Sequence, residues 1–186
     1  MTQTASGRPV VGEFAPYAQS DIDYVAGDDA VSALAEQAES VLAVLRPLME
    51  AEVSGLSYAP GKWTLKEVLG HMIDDERIFA YRALCVARQD PRALPGFDEN
   101  DYVRGAGFEQ RQWIDLLAEY RVVRQASLAF FGGLDSAAWL RRGMVNGYEA
   151  SVRGLAFHVA GHELHHLRVL RERYLPRAAA AIAARR

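Results

Sequence analysis

Ala160-Gly161-His162-Glu163-Leu164-His165-His166-Leu167 gathers most of the chain's histidines into one helical segment, and the rest of the sequence can be read outward from it. His158, His162 and His166 recur every fourth residue, which stacks them on one helix face, and His71 stands alone elsewhere. A lone histidine such as His71 on a half-apolar helix is by itself an ordinary structural residue. A pair four residues apart changes the reading, because both imidazoles can reach one ion at metal–nitrogen distances of about 2.0–2.1 Å. With His71 added from a second helix, three neutral nitrogens would hold a metal and leave one position open for water, the usual layout of a catalytic zinc site. The spacing alone leaves two candidate pairs, His158 with His162 and His162 with His166.

Moving outward, Ser151 can cap the histidine helix, which is expected to end near Tyr174, before Pro176. Ahead of it, Met144-Val145-Asn146-Gly147-Tyr148-Glu149 sets Asn-Gly between two short runs, a hairpin signal, and Asp135 can cap a turn around Trp139. A third helix is expected from about Glu109 to Phe131, with Trp113, Leu116, Leu117, Tyr120 and Val123 in its apolar set and Gly132-Gly133 at its end. Thr64-Leu65-Lys66-Glu67 is a capping box opening a second helix, which runs to about Gln89 and carries His71 two turns in. A first helix, capped by Asp28 or Asp29, holds Val31, Leu34, Val41, Leu42 and Leu45 in helical period as far as about Met49, with Pro47 kinking its end.

Four long amphipathic segments imply an all-α fold, a four-helix bundle over residues 28–176 in which sites are built from side chains projecting inward from facing helices. A long connection, Asp90 to Gly107, links helices two and three and reads as a crossover or functional loop. Residues 1–27, rich in Gly, Pro, Ser and Thr, read as an irregular N-terminal arm docked through Phe14, Tyr17, Ile22 and Tyr24. Residues 177–186 form a tail of alanine and arginine.

Composition narrows the function. The chain has 186 residues, 50% of them hydrophobic and 24% charged, enough to bury the core of one domain. Its net charge of -3 offers no basic field, so nucleic acid is not an expected partner. No apolar stretch approaches the roughly 20 residues needed to span a bilayer. A single cysteine, Cys85, in a buried-looking run, excludes an internal disulfide and a cysteine-based zinc site and suits a cytoplasmic location.

Several acidic residues compete for roles near the histidines. His162-Glu163-Leu164-His165-His166 matches the His-Glu-x-x-His signature of zinc proteases, with Glu163 as base. That class takes a third ligand downstream, where only Glu172 is acidic, and Glu163 is turned away from the ligand face. His165 lies about 100° round the helix from His166. Asp74 and Asp75, three and four residues after His71, can orient its ring or pair with Arg77 or Arg82 on a solvated face. Asp98 and Glu99 lie on the crossover, where Asp98 can equally close a turn and Glu99 can face solvent.

Pro60-Gly61-Lys62-Trp63-Thr64-Leu65-Lys66-Glu67-Val68-Leu69-Gly70-His71, followed by Phe97-Asp98-Glu99 and then His162-Glu163-Leu164-His165-His166, resembles the DinB superfamily, and most closely its YfiT-like branch of metal-dependent hydrolases. The similarity runs from about Ala30 to Tyr174. The resemblance implies a four-helix bundle holding zinc or nickel through one histidine of the second helix and two of the fourth, here His71, His162 and His166, and so decides between the two pairs. It also brings the crossover to the site, making Asp98 or Glu99 a candidate base beside Glu163. Relatives of this kind include thiol S-transferases that use low-molecular-weight thiols such as bacillithiol or mycothiol, and many are homodimers.

Two metal-based activities are therefore expected. In one, a metal activates water for amide or ester hydrolysis; in the other, the same position activates a low-molecular-weight thiol co-substrate that attacks a small electrophile. The alternative from another class is a non-catalytic, dimeric metal- or ligand-binding stress protein whose histidines are structural.

Overall fold

In the computed structural model, which describes residues 6–183, the N-terminal arm is folded. The first five residues of the arm and the last three of the tail lie outside the described residues. A 3-10 turn, Pro16–Ala18, leads into α1 (Gln19–Tyr24). Phe14 and Ile22 are buried as expected, but Tyr17 and Tyr24 stay 53% and 43% exposed, so the arm docks through its aliphatic and phenyl side chains. Glu13 fastens it, accepting from Arg153 Nε at 2.8 Å and pairing with Arg142 at 3.2 Å.

Helix α2 (Ala30–Leu45) starts where Asp29 accepts from the amides of Val31 and Ser32. It stops two residues before Pro47, and a separate turn, α3 (Glu50–Val53), follows. Proline therefore ends this helix rather than kinking it, since its ring clashes with the preceding turn. Helix α4 (Leu65–Ala87) begins at the expected capping box: Thr64 Oγ1 accepts from the Glu67 amide at 3.2 Å and the Glu67 carboxylate accepts from the Thr64 amide at 2.7 Å.

The crossover is not irregular. It contains α5 (Glu99–Ala106), capped by Asp98 and closed by Gly107 at φ 64°, the left-handed conformation that glycine adopts without cost. A 3-10 turn, Phe108–Gln110, precedes α6 (Trp113–Gly132), which starts four residues later than expected because Glu109 is used elsewhere, accepting from the Gly55 amide and the Thr64 hydroxyl. Asp135 caps α7 (Ser136–Trp139). Strands β1 (Arg142–Val145) and β2 (Tyr148–Ser151) pair antiparallel around Asn146-Gly147, both at positive φ, the form a two-residue hairpin loop needs. Ser151 caps α8 (Val152–Val169) through the Gly154 amide.

Beyond α8 the chain corrects the expected stop at Tyr174. Leu170–Tyr174 forms a π turn, and α9 (Leu175–Ala183) continues through Pro176. Proline cannot donate a hydrogen bond and crowds the carbonyl four residues back; the wider π turn sits where that crowding falls, so the helix continues instead of breaking.

Helices α2, α4, α6 and α8 make the four-helix bundle, with α4 and α2 each packed against both α6 and α8. Its interior is divided along the axis. Leu34, Phe79, Phe131 and Phe157 belong to one apolar cluster, and Leu42, Leu69, Leu116 and Leu167 to another. Between these positions in sequence, all four helices place polar side chains in the core: Gln37, His71 with Asp75 and Glu76, Arg124 with Ser127, and His158 with Glu163. The site is built in this polar waist. Among the described residues, no helix is long and apolar enough to cross a membrane.

Candidate metal centre

Helices α4 and α8 bring three imidazoles to one point. His71 Nε2 lies 3.0 Å from His162 Nε2, and His166 Nε2 lies 3.0 Å from the same atom. All three ligand atoms fall within 4.8 Å of one another. Nitrogens bound tetrahedrally at 2.0–2.1 Å stand about 3.3 Å apart, so the spacing suits one shared ion. Burial pushes the His71 pKa down to about 4 and that of His166 to about 3, and takes His162 well below its ordinary value. Imidazoles held neutral in this way carry the lone pair that a metal needs.

His158, the rival by spacing, lies outside this trio. Its ring stacks on Phe79 with centroids 3.9 Å apart, and its Nε2 is 3.8 Å from Asp75 Oδ2. His165 is partly exposed, with Nδ1 3.8 Å from the Asp21 carboxylate. The indole of Trp63 packs against His71 at 4.8 Å between ring centroids.

Of the two acidic residues after His71, Asp74 turns to Arg77 at 3.8 Å. Asp75 is buried and serves the other helix: its Oδ2 lies 3.3 Å from His162 Nδ1, not against His71, and has no hydrogen-bond partner among the described residues. Burial raises its pKa well above the usual carboxylate range. A group that fixes His162 Nδ1 as the protonated nitrogen leaves Nε2 free for an ion.

Glu163, expected as a base, is taken up otherwise. Its carboxylate accepts from Arg124 Nη1 at 3.0 Å, from Arg124 Nη2 at 2.6 Å and from the Tyr120 hydroxyl at 2.7 Å. Arg124 also forks onto Glu76 at 2.9 Å through both Nε and Nη2 and donates to the Leu34 carbonyl at 2.8 Å, so one guanidinium ties all four bundle helices. The sequence reading passed over this group. Its signal was charge at core positions: Tyr120, Val123, Arg124 and Ser127 share one helical face. Asp98 is likewise occupied, accepting from the Asp101 amide at 3.0 Å as the cap of α5.

Two cavities flank the trio. One of about 280 Å³ reaches His166 and His165 beside Tyr58, Trp63, Asn100 and Tyr174. The other, about 210 Å³, is lined by His162 and His158 together with Asp21, Asp75, Arg82 and Glu99. Glu99 is thus the crossover carboxylate that shares a chamber with a trio histidine.

Comparison with known proteins agrees with this architecture. A family model described as the DinB superfamily matches residues 33–170. Among solved structures, the chain is similar to YfiT from Bacillus subtilis, described as a probable metal-dependent hydrolase with an unusual four-helix bundle topology. That similarity has a TM-score of 0.69 and 15% identity over 77% of this chain and 82% of the other. No curated protein matches the sequence.

Proposed function

Because the chain belongs to the DinB superfamily, we propose that it is a metal-dependent enzyme whose ion is held by His71, His162 and His166 and whose reaction is hydrolysis of a small amide or ester. The observation that carries this reading is the convergence of three neutral Nε2 atoms from α4 and α8, His71 buried and His162 and His166 part-buried. Three imidazoles suit zinc or nickel. When bound, such an ion supplies Lewis acidity, polarising a carbonyl and lowering the pKa of a coordinated water or thiol.

The surrounding residues have separable tasks. Asp75, 3.3 Å from His162 Nδ1, favours the tautomer with its proton on that nitrogen and orients the ring. Arg124, with Glu76 and Glu163, fixes the relative placement of the helices that carry the ligands. Glu99, in the chamber beside His162, is the candidate proton acceptor. Cys85 is buried in the apolar cluster, so the transferase form of the reaction draws its nucleophile from a low-molecular-weight thiol co-substrate. A homodimer would use the outer face of α4 and α6, where Tyr81, Leu84 and Val122 are exposed.

Elemental analysis of untagged protein, purified without chelator, tests the reading. Near one zinc or nickel per chain, lost together in His71→Ala, His162→Ala and His166→Ala, is the expected result. Metal-loaded protein assayed against ester and amide panels, with and without bacillithiol or mycothiol, then separates hydrolysis from thiol transfer. A metal-free wild type whose melting temperature is unmoved by zinc or nickel leaves a helical binding protein instead.

A further inference from the structure

Arg82 is a buried cation whose guanidinium is largely unpaired. Its side chain is on the core face of α4, seven residues after Asp75, and the residue is only 3% exposed. Among the described residues it forms no ion pair; it donates from Nη2 to the Pro95 carbonyl at 2.7 Å. The guanidinium sits 4.7 Å from the Phe79 ring centroid and 5.5 Å from that of Phe97, which hold its plane. A guanidinium carries five donors in a fixed fork suited to a carboxylate, and most of these are unused here.

Asp75 presents the complementary deficit in the same chamber. Its Oδ2 is buried without a hydrogen bond. A carboxylate has about four lone-pair sites, and His162 can use one of them. The two charges of α4 act on one another across the chamber, but among the described residues no salt bridge joins them.

The balance of charge selects the ligand. Asp21, Asp75 and Glu99 face the same space as Arg82. A purely anionic ligand gains one guanidinium but meets Asp21 and Glu99 and leaves Asp75 Oδ2 unpaired. A purely cationic one leaves Arg82 buried and uncompensated, at the high cost of an unpaired charge in the interior. A ligand carrying both charges satisfies both. The volume of about 210 Å³ lies below the ~300–1,000 Å³ typical of drug-sized ligands, so the ligand, or the end of it that enters, is small.

We propose that this chamber recognises a small zwitterion of the amino-acid class, its carboxylate forked by Arg82 and its ammonium group received by Asp75, next to His162. The inference rests on the proposed function only for what the rest of the substrate then meets; the recognition itself belongs to Arg82 and Asp75.

The test is calorimetric titration of metal-free protein at pH 7 with glycine, β-alanine and 4-aminobutyrate, against propionate and butyrate as carboxylate-only halves and propylammonium and butylammonium as ammonium-only halves. The best zwitterion is expected to bind at least tenfold more tightly than either half. Arg82→Met should erase its advantage over the ammonium compounds, and Asp75→Asn its advantage over the carboxylates. Should Arg82→Met fail to fold, Arg82→Lys keeps the charge without the fork and should lose the advantage severalfold. Halves that bind as well as zwitterions, no binding by any probe, or a preference unchanged in the Arg82 variant would each overturn the proposal. Metal content measured on the same preparation reads the metal centre separately, so a protein without metal that still prefers zwitterions leaves this inference standing.

Discussion

Replacing Arg124 with methionine removes the cation that ties the bundle's polar waist together while keeping most of its length. The wild-type side chain makes five hydrogen bonds, four to Glu76 and Glu163 and one to the Leu34 carbonyl. Both carboxylate side chains are 3–4% exposed, so neither can recover solvation in the variant. Removing one partner from such a buried group costs about 3–5 kcal/mol, because the charges left behind have no compensation. For a chain of this size, each kcal/mol moves the melting temperature by about 2–4 °C, so Arg124→Met should melt roughly 6–20 °C lower. Thermal denaturation followed by circular dichroism reads this directly. Burial already raises the Glu163 pKa, and without Arg124 its folded pKa stays above the unfolded one, so its protonated form stabilises at low pH and that stability is lost as pH rises. The deficit should therefore be smaller at pH 5 than at pH 8. Adding Glu76→Gln and Glu163→Gln should return a large part of the loss, since no charge is then buried alone. A loss below about 1 kcal/mol, or a triple variant no more stable than the single one, would refute the claim that Arg124 compensates these two carboxylates.

Further outcomes follow from other parts of the structure. His71 has its pKa depressed to about 4, and His158 and His166 to about 3. The unfolded chain therefore binds more protons between about pH 6.5 and 4, and metal-free protein should lose stability as pH falls through that window, at up to about 1.4 kcal/mol per pH unit per buried histidine; a urea midpoint flat from pH 7 to pH 4.5 would contradict it. In Gly161→Ala the new Cβ would stand 2.2 Å from the Asp21 carbonyl, so the arm must shift; a cost of about 1–3 kcal/mol and faster proteolysis within residues 6–27 are expected, checked by melting and limited chymotrypsin digestion, which can cut after Phe14, Tyr17 and Tyr24. Thr64→Ala removes the hydroxyl that caps α4 and should cost about 0.5–2 kcal/mol, whereas Thr64→Ser should be close to neutral, as measured by denaturant titration.

Much of the fold was legible because its signals are local. The capping box of Thr64 and Glu67, the caps at Asp29, Asp135 and Ser151, and the Asn146-Gly147 loop each need only a few neighbouring residues, and all appear where the spacing puts them. Helix α5 is hard to read because it offers little apolar period: Val103 is its buried residue, and the turn-closing role open to Asp98 does not by itself announce a helix. The π turn escaped because Pro176 reads locally as a stop. At the centre, resemblance singled out His71, His162 and His166, and the structure brings those three together. What Asp75 and Glu163 do depends on which helix lies opposite. Asp75 is four residues from His71 yet serves His162, and Glu163 lies next to a trio histidine yet belongs to Arg124. No pattern along a single helix contains those partners.

His71 and His162 are 91 residues apart in the chain. An ion joining them works on the unfolded polypeptide as a staple, and a cross-link closing a loop of that length removes about 4–5 kcal/mol of disorder in the chain-entropy picture. The order of synthesis adds a direction. His71 emerges early and alone, whereas His162 and His166 arrive together on α8, the last helix of the bundle to be made. Such a staple could close only when that helix docks, so capture of an ion there would be a late event that locks a bundle already assembled rather than a seed around which it forms.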